Sequence, residues 1–284
     1  MMSAGVLVAI AIVGGVGLVF GTLIALAQSR LRVWEDPRID EVTTMLPGAN
    51  CGACGQPGCR AFAESLVSGA AVPATCTVMS PDMRADVATY LGVDAGAAIK
   101  RVARIMCAGG TDVAPRRAAY DGLASCAAAT AVSNGDRACA WGCLGHGDCA
   151  VACTFDAIVM NDVDLPVVDP ELCTACGDCV EACPRGLFTI EPIDQHLFVQ
   201  CRNLLSGEAA TSVCSVACNA CGRCAQDAPA VVTIERGLAV VHPESLTDAS
   251  IAAIERCPTS AIVWLHGAQF DTRPPTAGVQ HVHA

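Results

Sequence analysis

One run of cysteines constrains this chain more than any other feature. Between residues 173 and 184 the sequence reads CTACGDCVEACP, a C-x2-C-x2-C-x3-C-P pattern. Three thiols at this spacing wrap one loop around three corners of a cubane, and the fourth turns away at a proline. Two-cluster ferredoxins use this spacing for four-iron clusters, and in them the fourth cysteine ligates the other cluster. The pattern therefore predicts a partner half within the same chain.

The partner half lies just upstream and is stretched to C-x3-C-x5-C-x3-C. A structural zinc site is the alternative, although zinc usually takes two separated cysteine pairs rather than a tight triplet with an outlying fourth. The loop around His146 connects two ligands, and we expect His146 to be solvated. Cross-ligation predicts two clusters, one on Cys139, Cys143, Cys149 and Cys183 and one on Cys153, Cys173, Cys176 and Cys179.

Composition supports bound metal. The chain has 284 residues, 20 cysteines and a formal net charge of −11, with 53% apolar but only 4% aromatic residues. Such a chain builds small cores, so metal binding should supply much of its folding free energy. The acidic balance argues against nucleic acid, which calls for a basic face. Disulfide-rich chains are typically short and secreted, whereas these spacings are those of metal ligands and indicate a reducing, cytoplasmic environment.

The first 27 residues predict a membrane anchor. No charge occurs from Ala4 to Ala27, and about 20 apolar residues span a hydrocarbon core of about 30 Å. A signal peptide ending near Ala27 is the alternative, but no basic region precedes the apolar run, which is longer than usual for one. Arg30 and Arg32 follow at once, so the cysteine-rich body is expected in the cytoplasm. Gly17 and Gly21 give either a helix-packing face or ordinary glycine use.

A second kind of cysteine site follows the anchor. Its C-x2-C-x4-C spacing is succeeded by a helix-like segment, 60–68, and by a distant fourth cysteine. We expect a small autonomous domain that holds one cluster, with zinc as the alternative. The predicted ligands are Cys51, Cys54, Cys59 and Cys76.

Residues 80–138 carry no ligand constellation of their own. The segment from Asp82 to Ala103 is typical of one or two amphipathic helices broken at Gly92. Cys107 and Cys126 are isolated, and we expect both to be small buried hydrophobic residues.

An internal repeat organises the C-terminal third. Segments 153–159, 183–189, 228–234 and 257–263 share one shape, the exit of a half-ferredoxin into a short strand. A second ferredoxin-like module is thus predicted over roughly 195–266. The second half of this module has no triplet before its cysteine, Cys257, and the first half has alanine at position 228 in place of its fourth cysteine. One of the two clusters of the module is therefore lost. The surviving cluster is predicted on Cys218, Cys221, Cys224 and Cys257.

Two cysteines are left over, Cys201 and Cys214. Either they are buried thiols, or they form a fifth site with Cys107 and Cys126, which nothing in the spacing requires. The Pro-rich end beyond Gln269 is expected to be a flexible tail.

The predicted clusters indicate electron transfer. Iron held entirely by cysteine has no open coordination position for a substrate, so such clusters move single electrons. We find no Gly-rich phosphate loop between a strand and a helix, and hence no nicotinamide or flavin site, and no nucleophile–base pair.

The combination of motifs resembles one known family. An N-terminal membrane helix, the sequence CGACGQPGC at 51–59 with Cys76, and ferredoxin modules are similar to the B subunit of the Rnf electron-transport complex. Segments 107–126 and 213–218 resemble its longer versions. The resemblance implies an electron-carrying subunit, without an NAD site of its own, in a complex coupling ferredoxin and NAD redox chemistry to Na+ or H+ movement. It assigns ligand roles to Cys51, Cys54, Cys59, Cys76 and the eight cysteines from Cys139 to Cys183. The chain departs from the fuller members of this family in its second module, which has lost one of its two triplets.

We therefore predict an α+β chain with four [4Fe-4S] clusters, a single-pass anchor in the cell membrane and a cytoplasmic body. The expected partners are other complex subunits and soluble ferredoxin, which would dock on a basic patch of Arg101, Arg104, Arg116 and Arg117. The alternatives are a subunit that reduces a redox-sensing transcription factor and a tethered structural zinc protein. The predicted segments are an anchor (1–29), a linker (30–46), an N-terminal 4Fe-4S domain (47–95), a helical connector (96–135), a two-cluster module (136–192), a degenerate one-cluster module (193–267) and a tail (268–284).

Overall fold

A computed structural model describes residues 4–30, 35–97, 99–242 and 252–270 of the chain. Helices and strands alternate along these ranges, in agreement with the predicted α+β class. The described α-helices are α1 (Ala4–Arg30), α2 (Arg38–Met45), α3 (Cys59–Val67), α4 (Pro81–Leu91), α5 (Cys126–Ser133), α6 (Asp148–Val151), α7 (Asp178–Ala182), α8 (Gly207–Val213), α9 (Arg223–Asp227) and α10 (Ala252–Glu255). The described strands are β1 (Arg101–Ile105), β2 (Ile158–Met160), β3 (Pro166–Val168), β4 (Phe188–Pro192), β5 (Leu197–Val199), β6 (Val232–Glu235), β7 (Leu238–Val241) and β8 (Ile262–Trp264).

Helix α1 stands apart from the rest of the chain. It has 27 residues, which gives a length of roughly 40 Å at the rise of an α-helix. Its window Ala11–Gln28 has a mean hydropathy of 2.0 and contributes no side chain to a core. Large apolar groups such as Val13 and Leu18 are more than 70% exposed. Among the described residues this is the one helix long and apolar enough to cross a membrane.

A small helical unit follows. Helices α2, α3 and α4, with a short 3-10 helix at Pro73–Thr75, pack around Val42, Phe62 and Leu66. The Ser80 hydroxyl accepts from the Met83 N–H at the start of α4, and Gly92, with φ of 67°, ends it in the left-handed region. The predicted break at Gly92 is thus confirmed. The predicted helix beyond it is wrong, because the chain becomes strand β1.

Two four-strand modules make up the rest. In the first module (101–192), β1 pairs antiparallel with β4 and β2 with β3; in the second module (197–264), β5 pairs with β8 and β6 with β7. Each module therefore has an outer pair formed by its first and last strands and an inner hairpin. The four repeat segments each lead into a strand, namely β2, β4, β6 and β8, as predicted.

The structure departs from two of the predicted boundaries, one through strand pairing and one through the contacts of Gln269. The predicted connector, 96–135, contains β1, whose residues from Arg101 to Ile105 pair with β4, so the first module begins near residue 101 rather than at 136. The predicted tail also begins later than 268, because Gln269 is buried and its side-chain amide bonds both the N–H and the C=O of Ile105. Residues 271–284, where the rest of the predicted tail falls, lie outside the described residues.

The predicted basic patch does not form. Arg104 is only 2% exposed; its guanidinium donates to the Gly267 carbonyl and lies over the Phe198 ring. Arg116 is exposed but is paired with two carboxylates, Asp136 and Asp164. An arginine inside the core and one neutralised by acids cannot form a cationic docking surface, so this prediction is wrong.

Candidate metal centres

Twenty thiols line five cavities in the described part of the chain. All twenty cysteines are unpaired by disulfides, and each cavity is assigned four of them, with Cys143 also reaching the edge of a second. We name each cavity by its first cysteine. The sets are Cys51, Cys54, Cys59 and Cys76; Cys107, Cys139, Cys201 and Cys214; Cys126, Cys143, Cys149 and Cys183; Cys153, Cys173, Cys176 and Cys179; and Cys218, Cys221, Cys224 and Cys257.

The Cys51 cavity brings together the four cysteines predicted for the N-terminal domain. Gly52 and Gly55 have φ of 73° and 79°, which lets the loop fold tightly. Asn50, itself in the left-handed region, accepts from the Cys59 N–H at 2.8 Å, and this bond fixes the start of α3. Burial raises the pKa of the Cys76 thiol. The role of Asn50 was not predicted, although its position directly before the first cysteine was a signal for it.

The Cys153 cavity contains the predicted triplet at 173–179 together with Cys153 from the upstream half. Ala175, with φ of 58°, makes the tight turn between the first two thiols of the triplet. The Ala103 N–H on β1 donates to Cys173 Sγ at 3.4 Å. Burial, and then the neighbouring thiols, raise the pKa of Cys179 to about 12. The pairing predicted by cross-ligation is thus reproduced in space.

The Cys126 cavity differs from the prediction. It holds Cys143, Cys149 and Cys183 as expected, but the fourth thiol is that of Cys126 rather than Cys139. The physical reason is the spacing of the cysteines along the loop. Cys143 and Cys149 are six residues apart, as are the first and third cysteines of the other two triplets, so His146 occupies the middle position. Cys126, on α5, supplies the thiol that the middle position lacks. The cavity thus departs from the predicted set, with Cys126 in the place expected for Cys139.

Asp148 holds Cys126 in place. Its carboxylate accepts from the Cys126 N–H at 2.8 Å, the Ala127 N–H at 3.0 Å and the Ser125 hydroxyl at 2.9 Å. Burial raises the pKa of this carboxyl, but the three donors outweigh burial and leave the pKa below its ordinary value. An ionised side chain on α6 thus caps the N-terminus of α5.

His146 is not the solvated residue that the sequence suggested. It is half-buried, its ring lies 5.4 Å from the Tyr120 ring, and its Nε2 is buried without a hydrogen-bond partner among the described residues. Its backbone N–H lies against the Cys126 thiol and lowers the pKa of that thiol, against the larger effect of burial. The spacing of six between Cys143 and Cys149 was the signal for this substituted triplet.

The Cys218 cavity brings together the four cysteines predicted for the second module. Cys221 is exposed, whereas Cys218 and Cys224 are buried. Burial raises the pKa of Cys224 to about 11. Burial also raises the pKa of Cys257, but backbone N–H groups and the Thr259 hydroxyl outweigh it, and the resulting pKa lies below the ordinary value.

The Cys107 cavity lies between the two modules. Cys107 and Cys139 come from the first and Cys201 and Cys214 from the second, and all four are buried. Burial raises the pKa of Cys201 to about 12 and that of Cys214 to about 11. The alternative fifth site combined three of these residues with Cys126, whereas the structure places Cys139 here.

Two family profiles match the segments that carry cysteines. The FeS family, described as "Putative Fe-S cluster", matches residues 46–78, which contain all four thiols of the Cys51 cavity. The Fer4_6 family, described as "4Fe-4S binding domain", matches residues 165–188.

Relatives match over most of the chain. The B subunit of the Na(+)-translocating ferredoxin:NAD(+) oxidoreductase complex of Acetobacterium woodii is 45% identical over 76% of this chain, and the match spans 65% of that protein. The B subunit of the ion-translocating oxidoreductase complex of Methanosarcina acetivorans is 34% identical over 92% of this chain and 99% of its own length. The B subunit of the proton-translocating ferredoxin:NAD(+) oxidoreductase complex of Clostridium ljungdahlii is 35% identical over 87% of this chain and 88% of its own length. The chain belongs to this family of B subunits.

As a member of this family, the chain is an iron–sulfur, electron-transfer subunit of an Rnf-type oxidoreductase complex. Its cofactors are iron–sulfur clusters, consistent with both matched profiles. Helix α1 gives this B subunit a segment for membrane association.

Proposed function

We propose that this chain conducts single electrons through four-iron clusters, within a membrane complex that couples ferredoxin and NAD redox chemistry to Na+ or H+ translocation. The observation that carries the proposal is the distribution of the cysteines, four to a cavity. We assign ligand roles in four of the cavities, those of Cys51, Cys126, Cys153 and Cys218. With all four corners of a cubane held by thiolate, no coordination position remains for a substrate, which favours electron transfer over catalysis at the metal.

The donor arrangement favours clusters over zinc. Zinc usually takes two separated cysteine pairs. By contrast, three of the four assigned sites draw on a closely spaced triplet, at 51–59, 173–179 and 218–224. The thiols instead surround a space between them, as a multi-atom cluster requires. Backbone N–H groups directed at the sulfurs, such as Ala103 to Cys173, would stabilise their negative charge.

The architecture of the two modules supports a ferredoxin-like assignment. Each has an outer antiparallel pair and an inner hairpin, and three short helices, α6 and α7 in the first module and α9 in the second, begin one residue before a cysteine. Gly147, Gly177 and Gly222 precede these helices, and each has a positive φ. The equivalent loops indicate one duplicated unit, in which the second copy retains the Cys218 cavity.

The orientation of α1 supports a cytoplasmic body. No acidic or basic residue occurs in α1 before Arg30 in its last turn. By the positive-inside rule, this end of a single-pass helix faces the cytoplasm. Soluble ferredoxin would then reach the modules from the same compartment. The relatives from Acetobacterium woodii and Clostridium ljungdahlii, whose names state ferredoxin:NAD(+) oxidoreductase, support this choice of donor.

The test is metal analysis followed by reduction. The full chain, purified anaerobically in detergent, should contain about sixteen iron and sixteen acid-labile sulfide atoms for the four assigned clusters, and about twenty if the remaining cavity is also filled. Zinc should be absent, and reduced ferredoxin should bleach the visible absorption. Stoichiometric zinc with little iron would overturn the proposal, and iron that ferredoxin cannot reduce would remove the donor assignment.

A further inference from the structure

The Cys107 cavity contains four buried thiols that the proposed function leaves without a role. Their exposed fractions are 6% to 7%, and no disulfide joins them. Arg202 and Asn203 from the second module and Gly109 from the first also line the cavity. A cavity built from two modules and closed by four cysteines resembles the four assigned sites in its donor set.

Each module contributes an equivalent first cysteine. Cys107 follows the end of β1 by two residues, and Cys201 follows the end of β5 by two residues. Each thiol accepts a hydrogen bond from the backbone N–H two residues further on, Gly109 to Cys107 and Asn203 to Cys201, and both bonds measure 3.4 Å. The two segments also touch, since the Ala108 N–H donates to the Gln200 carbonyl at 3.1 Å.

Each module also contributes an equivalent second cysteine. Cys139 precedes the first cysteine of its module's triplet, Cys143, by four residues, as Cys214 precedes Cys218. The backbone turns are the same, because Gly142 N–H donates to the Cys139 carbonyl and Ala217 N–H to that of Cys214, at 3.2 and 3.0 Å. A pair of thiols that is repeated at matching positions in two modules, and that faces one cavity, has the arrangement of a set of metal ligands.

A buried cation accompanies the thiols. Arg137 is 1% exposed and lines the same cavity. Its Nη1 donates to the Ala114 carbonyl and its Nη2 pairs with Asp164 at 3.4 Å, while its Nε has no hydrogen-bond partner in the described part of the chain. Four thiolates around an iron–sulfur core carry net negative charge, and a buried guanidinium offsets the cost of burying that charge.

We propose that Cys107, Cys139, Cys201 and Cys214 ligate a fifth four-iron cluster, shared by the two modules. On binding iron, each of the four thiols releases its proton to solvent. The inference rests on the proposed function, because it assumes the same cofactor. It also gives the cluster a place. The Cys143 N–H donates to Cys107 Sγ, and the backbone N–H of Cys218 lies near the Cys201 thiol and lowers its pKa against the larger effect of burial, so the shared site adjoins the Cys126 cavity on one side and the Cys218 cavity on the other.

The test compares single and double substitutions in the full chain, purified anaerobically in detergent. Wild type should hold about twenty iron atoms, and Cys139→Ala and Cys214→Ala should each hold about four fewer. Because the two cysteines serve one cluster, the double variant should lose no more iron than either single variant, and the same electron paramagnetic resonance component should vanish from all three. Cys221→Ala is the matched control, since it should remove a different component and its loss should add to that of Cys214→Ala.

The outcomes separate the two levels of the inference. About sixteen iron atoms in wild type, with none lost from Cys214→Ala, would overturn the shared cluster and leave the proposed function intact. Additive losses in the double variant would also overturn it, because the two cysteines would then serve different clusters. Little iron in wild type would instead remove the proposed function. If Cys214→Ala loses the component of the Cys218 cavity as well, Cys107→Ala decides, because its position in the first module leaves the second module's loop unchanged.

Discussion

At the scale of single residues, two buried arginines are alike in burial and differ in position. Arg137 lines the Cys107 cavity, whereas Arg104 lines none of the five cavities. Within the ranges that the structure describes, neither Nε has a hydrogen-bond partner. Asp164 offsets part of the Arg137 charge, but it also pairs with Arg116 and is itself 39% exposed. Part of the positive charge of Arg137 is therefore not compensated by Asp164 and acts on the thiols.

We expect Arg137→Met to lower the midpoint potential of the shared cluster. Reduction adds one negative charge to the site, and a cation nearby stabilises the reduced form. At a separation of about 8 Å and an effective dielectric constant of about 20, the effect is about 2 kcal/mol or roughly 90 mV for one electron. A redox titration followed by electron paramagnetic resonance measures it.

Arg104→Met is the matched control, since it removes an equally buried guanidinium without changing the lining of the cavity. Arg137→Lys keeps the charge and should shift the potential less than Arg137→Met does. Equal shifts in Arg104→Met and Arg137→Met would show that loss of packing, rather than charge, is responsible.

A second residue-scale prediction concerns Arg185. Its guanidinium donates to the Ala140 and Asn134 carbonyls, which ties the turn after Cys183 to the loop before Cys143. Arg185→Ala should therefore destabilise the protein by about 2–3 kcal/mol, the usual worth of hydrogen bonds from a charged group. The temperature at which visible absorption is lost under anaerobic heating reports it. The same loss temperature as wild type would contradict the assigned role.

At the scale of elements, helix α5 positions the thiol of Cys126 in its cavity. It has eight residues, too few for an isolated helix to be stable in water, so its N-terminal contacts decide its position. Ser125 accepts from Ala128 N–H, and Asp148 accepts from the first two N–H groups of the helix. Asn134, in the left-handed region, ends the helix.

Asp148→Ala should release α5 from the Cys126 cavity. The loss of three hydrogen bonds to a carboxylate predicts a destabilisation of about 2–3 kcal/mol, less than their sum because water replaces part of them. The cluster on that cavity should then decay faster in air, measured by the fading of its resonance component.

Arg223→Ala is the control for Asp148→Ala. Arg223 holds the same position in the second module, between Gly222 and Cys224, and it is exposed. Its substitution should change stability by less than about 0.5 kcal/mol. Equal decay in the two variants would show that the helix start, and not the capping of α5, controls cluster lifetime.

Local spacing explains which parts of the sites the sequence predicted. The cysteines at 173–179 and 218–224 are brought together by one loop each, so their spacing alone sufficed. The structure places Cys126 and Cys139 differently from the prediction, because the other cysteines of their cavities come from distant segments, which spacing cannot reveal. The strands that follow the four repeat segments were predicted from the sequence. Strand β1 was not predicted, because Arg101–Ile105 becomes a strand only through its pairing with β4.

At the scale of the whole molecule, the four cavities of the modules form a series. Neighbouring cavities are in contact, since the Cys143 N–H donates to Cys107 Sγ and the backbone N–H of Cys218 lies near the Cys201 thiol. Cys149 lies close enough to Cys179 to raise the pKa of the latter, after the larger effect of burial. The order is thus the Cys153, Cys126, Cys107 and Cys218 cavities, with the shared one inside the series.

Removal of the shared cluster should interrupt this series. In Cys214→Ala, electrons that enter one module should reach the other far more slowly than in wild type, because a step is missing. Freeze-quenched samples, taken after mixing with less than one equivalent of reductant per chain, would report how the reduced components redistribute with time. Cys221→Ala removes an end of the series and should leave exchange between the other clusters unchanged. Wild-type redistribution in Cys214→Ala would contradict the order.

The even division of thiols has an analytical consequence. No cysteine in the sequence lies outside the five cavities, so a fully loaded protein would offer nothing for a maleimide dye to label. Each centre that falls apart would unmask four reactive sulfurs at once, and a fluorescent label would count damage in steps of four. A single cysteine introduced on an exposed loop would, for the same reason, be a unique attachment point for a probe of distances within the assembled complex.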